Sequence, residues 1–213
     1  EKIPVVAKVL AQEIKLGNAG HFNVGSHGAT YLYHALTEYG QADVAREIFS
    51  QTTYPSYGYM FSLGATTLWE NMSRYDPVTQ STGKSLSHPF HGGFDHWFHE
   101  AVAGLRRDRS APAFKRLLFR SDLVGPLTHA KASIETPYGT AASSWQITGD
   151  QFSWEIRIPA NTQATVHFPE TVTAISENST PLTTATSSYN GQAVTRAVEL
   201  GSGTYHFKAQ REQ

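Results

Sequence analysis

FDHWFHEAVAGLRRDRSAP, residues 94 to 112, holds the change of pattern that organises this chain. Phe94, Trp97, Phe98, Ala101, Val102 and Leu105 fall at i, i+3, i+4, i+7, i+8 and i+11, the spacing of one apolar helical face. Asp, Arg, Ser and Pro then crowd together from Arg107 to Pro112, which predicts a domain boundary. Upstream the period stays helical. Ile3, Val6, Leu10 and Ile14 form one stripe, Leu32, Ala35, Leu36 and Tyr39 another that ends at Gly40, and Val44, Ala45, Ile48 and Phe49 a third. Downstream the period falls to two. Phe152, Trp154, Ile156 and Ile158 alternate after a Gly149-Asp150 hairpin signal. Short apolar or alternating runs recur at 116–120, 131–136, 141–148, 164–168, 172–175, 193–200 and 204–208. The expected fold is α plus β in separate domains: helices over 1–110 and an antiparallel β-sandwich over 111–213, with Trp145 and Trp154 in its core.

Composition narrows the function. The 213 residues carry a net charge of −1 and only 16% charged side chains, which argues against nucleic acid or an anionic membrane as partner. No apolar run is long enough to span a bilayer. Cysteine is absent, so disulfides and thiolate zinc sites are excluded. There is no initiating Met and no signal peptide, and EKIPVVAKVLAQEIK opens as a helix already under way, as expected of a mature form, a fragment or a partial sequence. Two Asn-x-Ser/Thr triplets, Asn71-Met72-Ser73 and Asn178-Ser179-Thr180, point weakly to a secreted or extracytoplasmic protein, with the cytoplasm left open.

The stretch from 52 to 93 reads as a long irregular segment, and its aromatics favour a functional loop over disorder. Glu70 follows Trp69 where other charges are scarce. A poorly solvated carboxylate beside an indole is expected to hold its proton more tightly, which suits general acid–base work. SLSHPFHGGFDHWFHE, residues 85 to 100, carries four histidines, but no HExxH or acidic cluster accompanies them, so no metal is expected. His88 or His91, beside Gly92-Gly93, reads as a hydrogen-bonding group at a cleft, and His96 and His99 as solvated. Tyr54, Tyr57, Tyr59, Phe61 and Trp69 suit the apolar faces of sugar rings, with Tyr54 and Phe61 expected in the core. No GxSxG, phosphate-binding glycine loop or GxGxxG occurs, so neither a serine nucleophile nor any cofactor is expected.

An ordered series of motifs carries these residues: 51–60 (QTTYPSYGYM), 64–70 (GATTLWE), 85–88 (SLSH), 102–105 (VAGL), 113–120 (AFKRLLFR) and 130–139 (AKASIETPYG). The series resembles the C-terminal part of the inverting α-L-rhamnosidases, glycoside hydrolase family 78, over nearly the whole chain. The resemblance implies the last helices of an (α/α)6 barrel followed by the β-sandwich. A full barrel needs many more helices than the four stripes here, so the remainder would lie in the same or an associated chain. It also implies Glu70 as general base, His88 and, at Gly20-His21, His21 in the sugar subsite, and Trp69 and Tyr57 as aromatic walls. The substrate implied is a terminal α-L-rhamnosyl residue on a glycoside or polysaccharide. The chain departs from the family pattern at Tyr57, often Trp, at Asn71-Met72, often Arg-Trp, and at Ser87, usually Asn. The family's general acid lies in an upstream acidic motif that has no match here. Two other readings stand beside this one: a lyase cleaving a rhamnose–uronate bond on the same barrel, and a non-catalytic carbohydrate-binding module.

Overall fold

The computed structural model describes residues 2–72, 78 and 84–212. Ser73 of the first Asn-x-Ser triplet and the Asp-Pro step at 76–77 lie outside the described residues. The chain divides into two units, Glu1–Trp97 and Phe98–Gln213.

The first unit is helical. It contains α1 (Lys2–Gln12), which runs on as a π-helical turn (Glu13–Gly17), then α2 (Ser26–Thr37), α3 (Ala42–Phe49), α4 (Tyr57–Ser62), a 3-10 turn (Pro89–Gly93) and α5 (Phe94–Trp97). Tyr33, Leu36, Ala45, Ile48, Met60 and Trp97 are all buried. Trp97 Nε1 donates to Thr37 Oγ1 at 2.8 Å, so burying the indole leaves its N–H satisfied. α3 follows its stripe, with Val44, Ala45 and Ile48 inside, whereas α2 buries Leu32 and Leu36 of its stripe and leaves Ala35 exposed.

Two expectations are corrected here. The bulky side of α1 does not form its packed face: Ile3 and Val6 are exposed, as are Val5 and Val9, and the buried residues are Ala7, Ala11 and, beyond the helix, Ile14. Periodicity reports that a helix has an apolar face, not what covers it. The segment 52–93 is also not irregular throughout, because α4 starts within it. Ser56 is the reason: its Oγ accepts the Tyr59 N–H at 3.0 Å and caps the helix.

The second unit is a two-sheet β-sandwich. It opens with a π-helical turn (Phe98–Val102) and a 3-10 turn (Pro112–Phe114) lies between its first strands. One sheet has the order β1-β2-β6-β10-β9, built from Leu105–Arg107, Arg116–Phe119, Gln163–His167, Gln192–Leu200 and Ala185–Tyr189. The other has the order β3-β4-β5-β11-β7-β8, from His129–Thr136, Gly139–Thr148, Gln151–Ile158, Gly203–Arg211, Val172–Glu177 and Thr180–Pro181. All neighbours are antiparallel except β2 and β6, which run parallel. Trp145 and Trp154 are cross-strand partners on β4 and β5 and both are buried with Leu117, Phe119, Ile156 and Phe207.

The stripe from Phe94 to Leu105 is therefore not one helix. The α-helical part stops at Trp97, the π-turn follows, and Ala103 N–H bonds Phe98 O at 2.9 Å. Gly104 then takes φ +80°, and a Cβ there would sit 2.7 Å from Ser121 N, so only glycine fits without strain. Leu105 begins β1 and belongs to the sandwich core. Three hydrogen bonds pin this entry segment and a fourth braces one of their donors. Trp145 Nε1 donates to Val102 O (2.8 Å), Ser121 Oγ to Val102 O (2.9 Å), Ser143 Oγ to Ala103 O (2.6 Å) and Trp154 Nε1 to Ser143 Oγ (2.9 Å). His99, expected to be solvated, is half-buried with Nδ1 3.3 Å from Leu105 O, whereas His96 is exposed.

His167 on β6 is buried, and burial, then the Arg120 charge, push its pKa down to about 4 from 6.5. Folded His167 stays neutral where the unfolded residue takes a proton, so its contribution is full above pH 6.5 and is lost as pH falls toward 4. Urea unfolding of the chain at pH 7 and at pH 4 is expected to show a stability drop larger by about 2 kcal/mol than in His167→Gln. Equal drops in the two proteins would exclude this linkage.

Candidate active site

Glu70 lies in a short extended segment held against residues 85–88. Glu70 N–H donates to Ser85 O (2.9 Å), Ser85 N–H donates back to Glu70 Oε2 (3.1 Å), and His88 N–H donates to Leu68 O (2.7 Å). Thr67 Oγ1 donates to Leu86 O on the same ladder. This pairing joins Glu70 to His88 across eighteen positions of sequence. Glu70 is half-buried as a residue, its carboxylate hydrogen bond with Ser85 is exposed, and no Lys, Arg or His among the described residues forms an ion pair with the carboxylate.

The 3-10 turn after His88 anchors the ladder to α2. Gly93 passes so close that a Cβ would meet Thr30 Cα at 2.6 Å, and Thr30 Oγ1 donates to Phe90 O at 2.9 Å. His88 is half-buried, with Nε2 3.3 Å from Ser26 Oγ and its ring 5.8 Å from that of His91.

His91 is the inner member of the cluster, 4% exposed. Its Nε2 is 3.1 Å from Glu70 O, and since a carbonyl only accepts, Nε2 carries the proton. Nδ1 is buried without a partner among the described residues, as a lone pair. Burial holds the imidazole pKa below its ordinary value, which the hydrogen bond to the Glu70 backbone partly opposes. Tyr57 OH donates to His91 O at 2.8 Å, and burial pushes that hydroxyl up to about 12.

Tyr57 and Trp69 are 1% and 4% exposed, so neither offers an open ring face, in contrast to the aromatic walls expected. Tyr57 packs among Phe22, Phe49 and Phe94 at centroid distances of 5.7, 5.8 and 4.9 Å. Tyr54 and Phe61, expected in the core, are 49% and 52% exposed. His21 sits apart from the ladder. Its Nδ1 faces Ala19 O at 3.0 Å and its Nε2 meets Thr53 Oγ1 at 2.9 Å. No hydrogen bond or ring contact joins it to Glu70 or His88 among the described residues.

Ser85 through its backbone, and Ser26 and Thr53 through their hydroxyls, hold Glu70, His88 and His21 respectively, and sequence reasoning assigned none of the three a site role. Each is an ordinary hydroxyl residue 15 to 62 positions from its partner. His91 did carry a signal, a histidine beside two glycines.

Comparison with known proteins assigns the class. Residues 1–102 match the bacterial α-L-rhamnosidase six-hairpin glycosidase domain, and residues 104–182 match the bacterial α-L-rhamnosidase C-terminal domain. The chain belongs to the bacterial α-L-rhamnosidase family, and its two units are the last helices of a six-hairpin, (α/α)6 barrel and the β-sandwich that follows.

Among its relatives, an α-L-rhamnosidase of Formosa agariphila is 32% identical over 164 residues, covering 77% of this chain and 17% of that protein. One of Alteromonas sp. is 33% identical over 147 residues, covering 68% and 16%. The solved α-L-rhamnosidase of Dictyoglumus thermophilum superposes with a TM-score of 0.82 at 32% identity, over 96% of this chain and 23% of that one. That of Streptomyces avermitilis, complexed with L-rhamnose, gives 0.79 at 26% identity, over 96% and 19%. The chain thus spans about a sixth of the length of the curated relatives it matches.

Proposed function

We propose that this chain supplies the general-base side of an inverting α-L-rhamnosidase site. The observation that carries the reading is the Glu70 carboxylate, free of a basic partner among the described residues and oriented by the Ser85 N–H. In this mechanism Glu70 takes a proton from water as the water oxygen attacks the anomeric carbon. The glycosidic bond breaks on the opposite face, and a second carboxyl group protonates the departing oxygen. Inverting enzymes set the two groups about 6.5–9.5 Å apart to leave room for that water. The acid belongs to the part of the barrel outside this chain. The exposed Ile3, Val5, Val6 and Val9 of α1 are a surface that further barrel helices would cover.

His88 and His21 hold rhamnose hydroxyls in this reading. Trp69 and Tyr57 act from below, as the packed floor of the cleft. His91 is a positioning residue that fixes the Glu70 main chain. His91→Phe keeps the ring volume and removes the donor, and is expected to lower kcat about tenfold with KM within about twofold. His91→Gln, which restores an N–H near Nε2, is expected to recover activity to within about threefold of wild type. A loss that Gln does not rescue would reduce His91 to a packing role.

The test of the function is hydrolysis of 4-nitrophenyl α-L-rhamnopyranoside by the complete protein, with the product followed by proton NMR. The β-anomer appearing first supports the reading. An ultraviolet-absorbing unsaturated sugar released from a rhamnose–uronate oligosaccharide assayed alongside the aryl rhamnoside would establish the lyase instead, although the raised pKa of Tyr57 makes that hydroxyl a poor base. Glycan binding with no turnover would establish the binding module.

A further inference from the structure

The β-sandwich carries a half-open cavity of about 400 Å³ that the proposed chemistry does not use. It lies among the end of β2 and the residues after it, the loop after β6, the β9–β10 turn and the end of β11, and Arg120, Asp122, Glu170, Tyr189, Gln192 and Arg211 line it. Behind this wall Arg106 is 3% exposed. Its Nη2 is 2.5 Å from Asp122 Oδ2, and its Nη1 donates to Tyr189 OH at 2.7 Å. Arg120 Nη2 takes the other oxygen of the same carboxylate at 2.9 Å, and its guanidinium lies 4.5 Å from the Tyr189 ring centre. One carboxylate therefore serves two guanidiniums.

Arg211 adds a third cation. Among the described residues its guanidinium has no hydrogen bond and no ion pair. Its Nε and Arg120 Nη1 are buried donors without partners. Leaving such donors unsatisfied is unfavourable, the more so for charged groups. Glu170 is the other carboxylate on the wall, so with Arg106 behind it three guanidiniums stand against two carboxylates here. The pKa of nearby His167 is lowered chiefly by its burial, with smaller contributions from Arg120 and Arg106 that Glu199 opposes.

We infer that this cavity is a second saccharide site, separate from the Glu70 cleft, that takes a sugar bearing a single carboxylate, a uronate. The planar carboxylate matches the fork of a guanidinium, which binds it through two parallel N–H donors. One surplus positive charge suits a monoanion, and Glu170 on the wall disfavours a dianion. Gln192 and Tyr189 supply an amide and a hydroxyl for the ring oxygens, and the volume falls in the range of small-molecule pockets.

Isothermal titration calorimetry of the full chain tests this with D-galacturonate, D-galactose and inorganic sulfate as probes. Galacturonate is expected to bind at least tenfold tighter than galactose and than sulfate. Arg211→Gln is expected to weaken galacturonate at least tenfold with an unchanged thermal unfolding midpoint, and Glu70→Gln to leave it unchanged. Galactose binding as tightly as galacturonate, or an unaltered Kd in Arg211→Gln, would overturn the inference. Sulfate matching galacturonate would replace the sugar site with a bare anion site, and loss of binding in Glu70→Gln would move the ligand to the other cleft. Galacturonate binding with no rhamnoside hydrolysis by the complete protein would sink the Glu70 mechanism and leave this site standing.

Discussion

Glu70→Gln in the complete protein is expected to lower kcat for an aryl rhamnoside by at least about 100-fold while rhamnose binding stays within about threefold. The substitution keeps the side chain's shape and its acceptor for the Ser85 N–H through the amide oxygen. What it removes is the ability to accept a proton from water. An interaction made chiefly in the transition state lowers kcat and kcat/KM together, and that is the pattern to look for. Exogenous azide, a small nucleophile that needs no general base, should restore turnover and yield the inverted glycosyl azide. A variant that retains wild-type turnover would remove Glu70 from the chemistry, and one that loses rhamnose binding would make it a binding group.

The second large effect belongs to the sandwich. Trp145→Ala is expected to destabilise this unit by about 3–5 kcal/mol, the range for removing a buried aromatic side chain and leaving its cavity. Trp145 is 1% exposed and lies in the core opposite Trp154. It also holds Val102 O, at the point where the chain leaves the π-turn for β1. Trp145→Phe separates the two contributions: it keeps most of the apolar burial and gives up the indole N–H, with an expected loss of about 1–2 kcal/mol. Urea unfolding followed by far-ultraviolet circular dichroism measures both. A loss below about 1 kcal/mol in Trp145→Ala would mean that the core closes over the gap.

Much of the fold was legible because burial imposes a period. Phe152, Trp154, Ile156 and Ile158 alternate because β5 has one face in the core, and all four are buried. Strands without that mark were missed. β9, Ala185–Tyr189, is made largely of small polar residues, and β8 has two residues. β1 was hidden for a different reason. Leu105 falls on a helical stripe by spacing, but the π-turn and the positive φ of Gly104 intervene, and neither has a period to read.

The site divides in the same way. Glu70 and His88 stood out as chemistry-bearing side chains in a charge-poor stretch. That His91 lies beneath Glu70, with Tyr57 under His91, could not be read from spacing, because these contacts run through backbone carbonyls that every residue has. The burial of Tyr57 and Trp69 and the exposure of Tyr54 and Phe61 were likewise undetermined, since an aromatic ring serves a core or a cleft equally well.

By itself, then, the sequence determined the two kinds of secondary structure, their order along the chain and the identity of the carboxylate and imidazoles on offer, because these follow from local period and side-chain chemistry. Tertiary structure alone decided which carbonyl each imidazole meets, which rings are sealed from water, and that Arg106, from behind the cavity wall, shares Asp122 with Arg120 of the wall that Arg211 also lines. Those outcomes depend on contacts between residues far apart in sequence, where no local pattern constrains the partner.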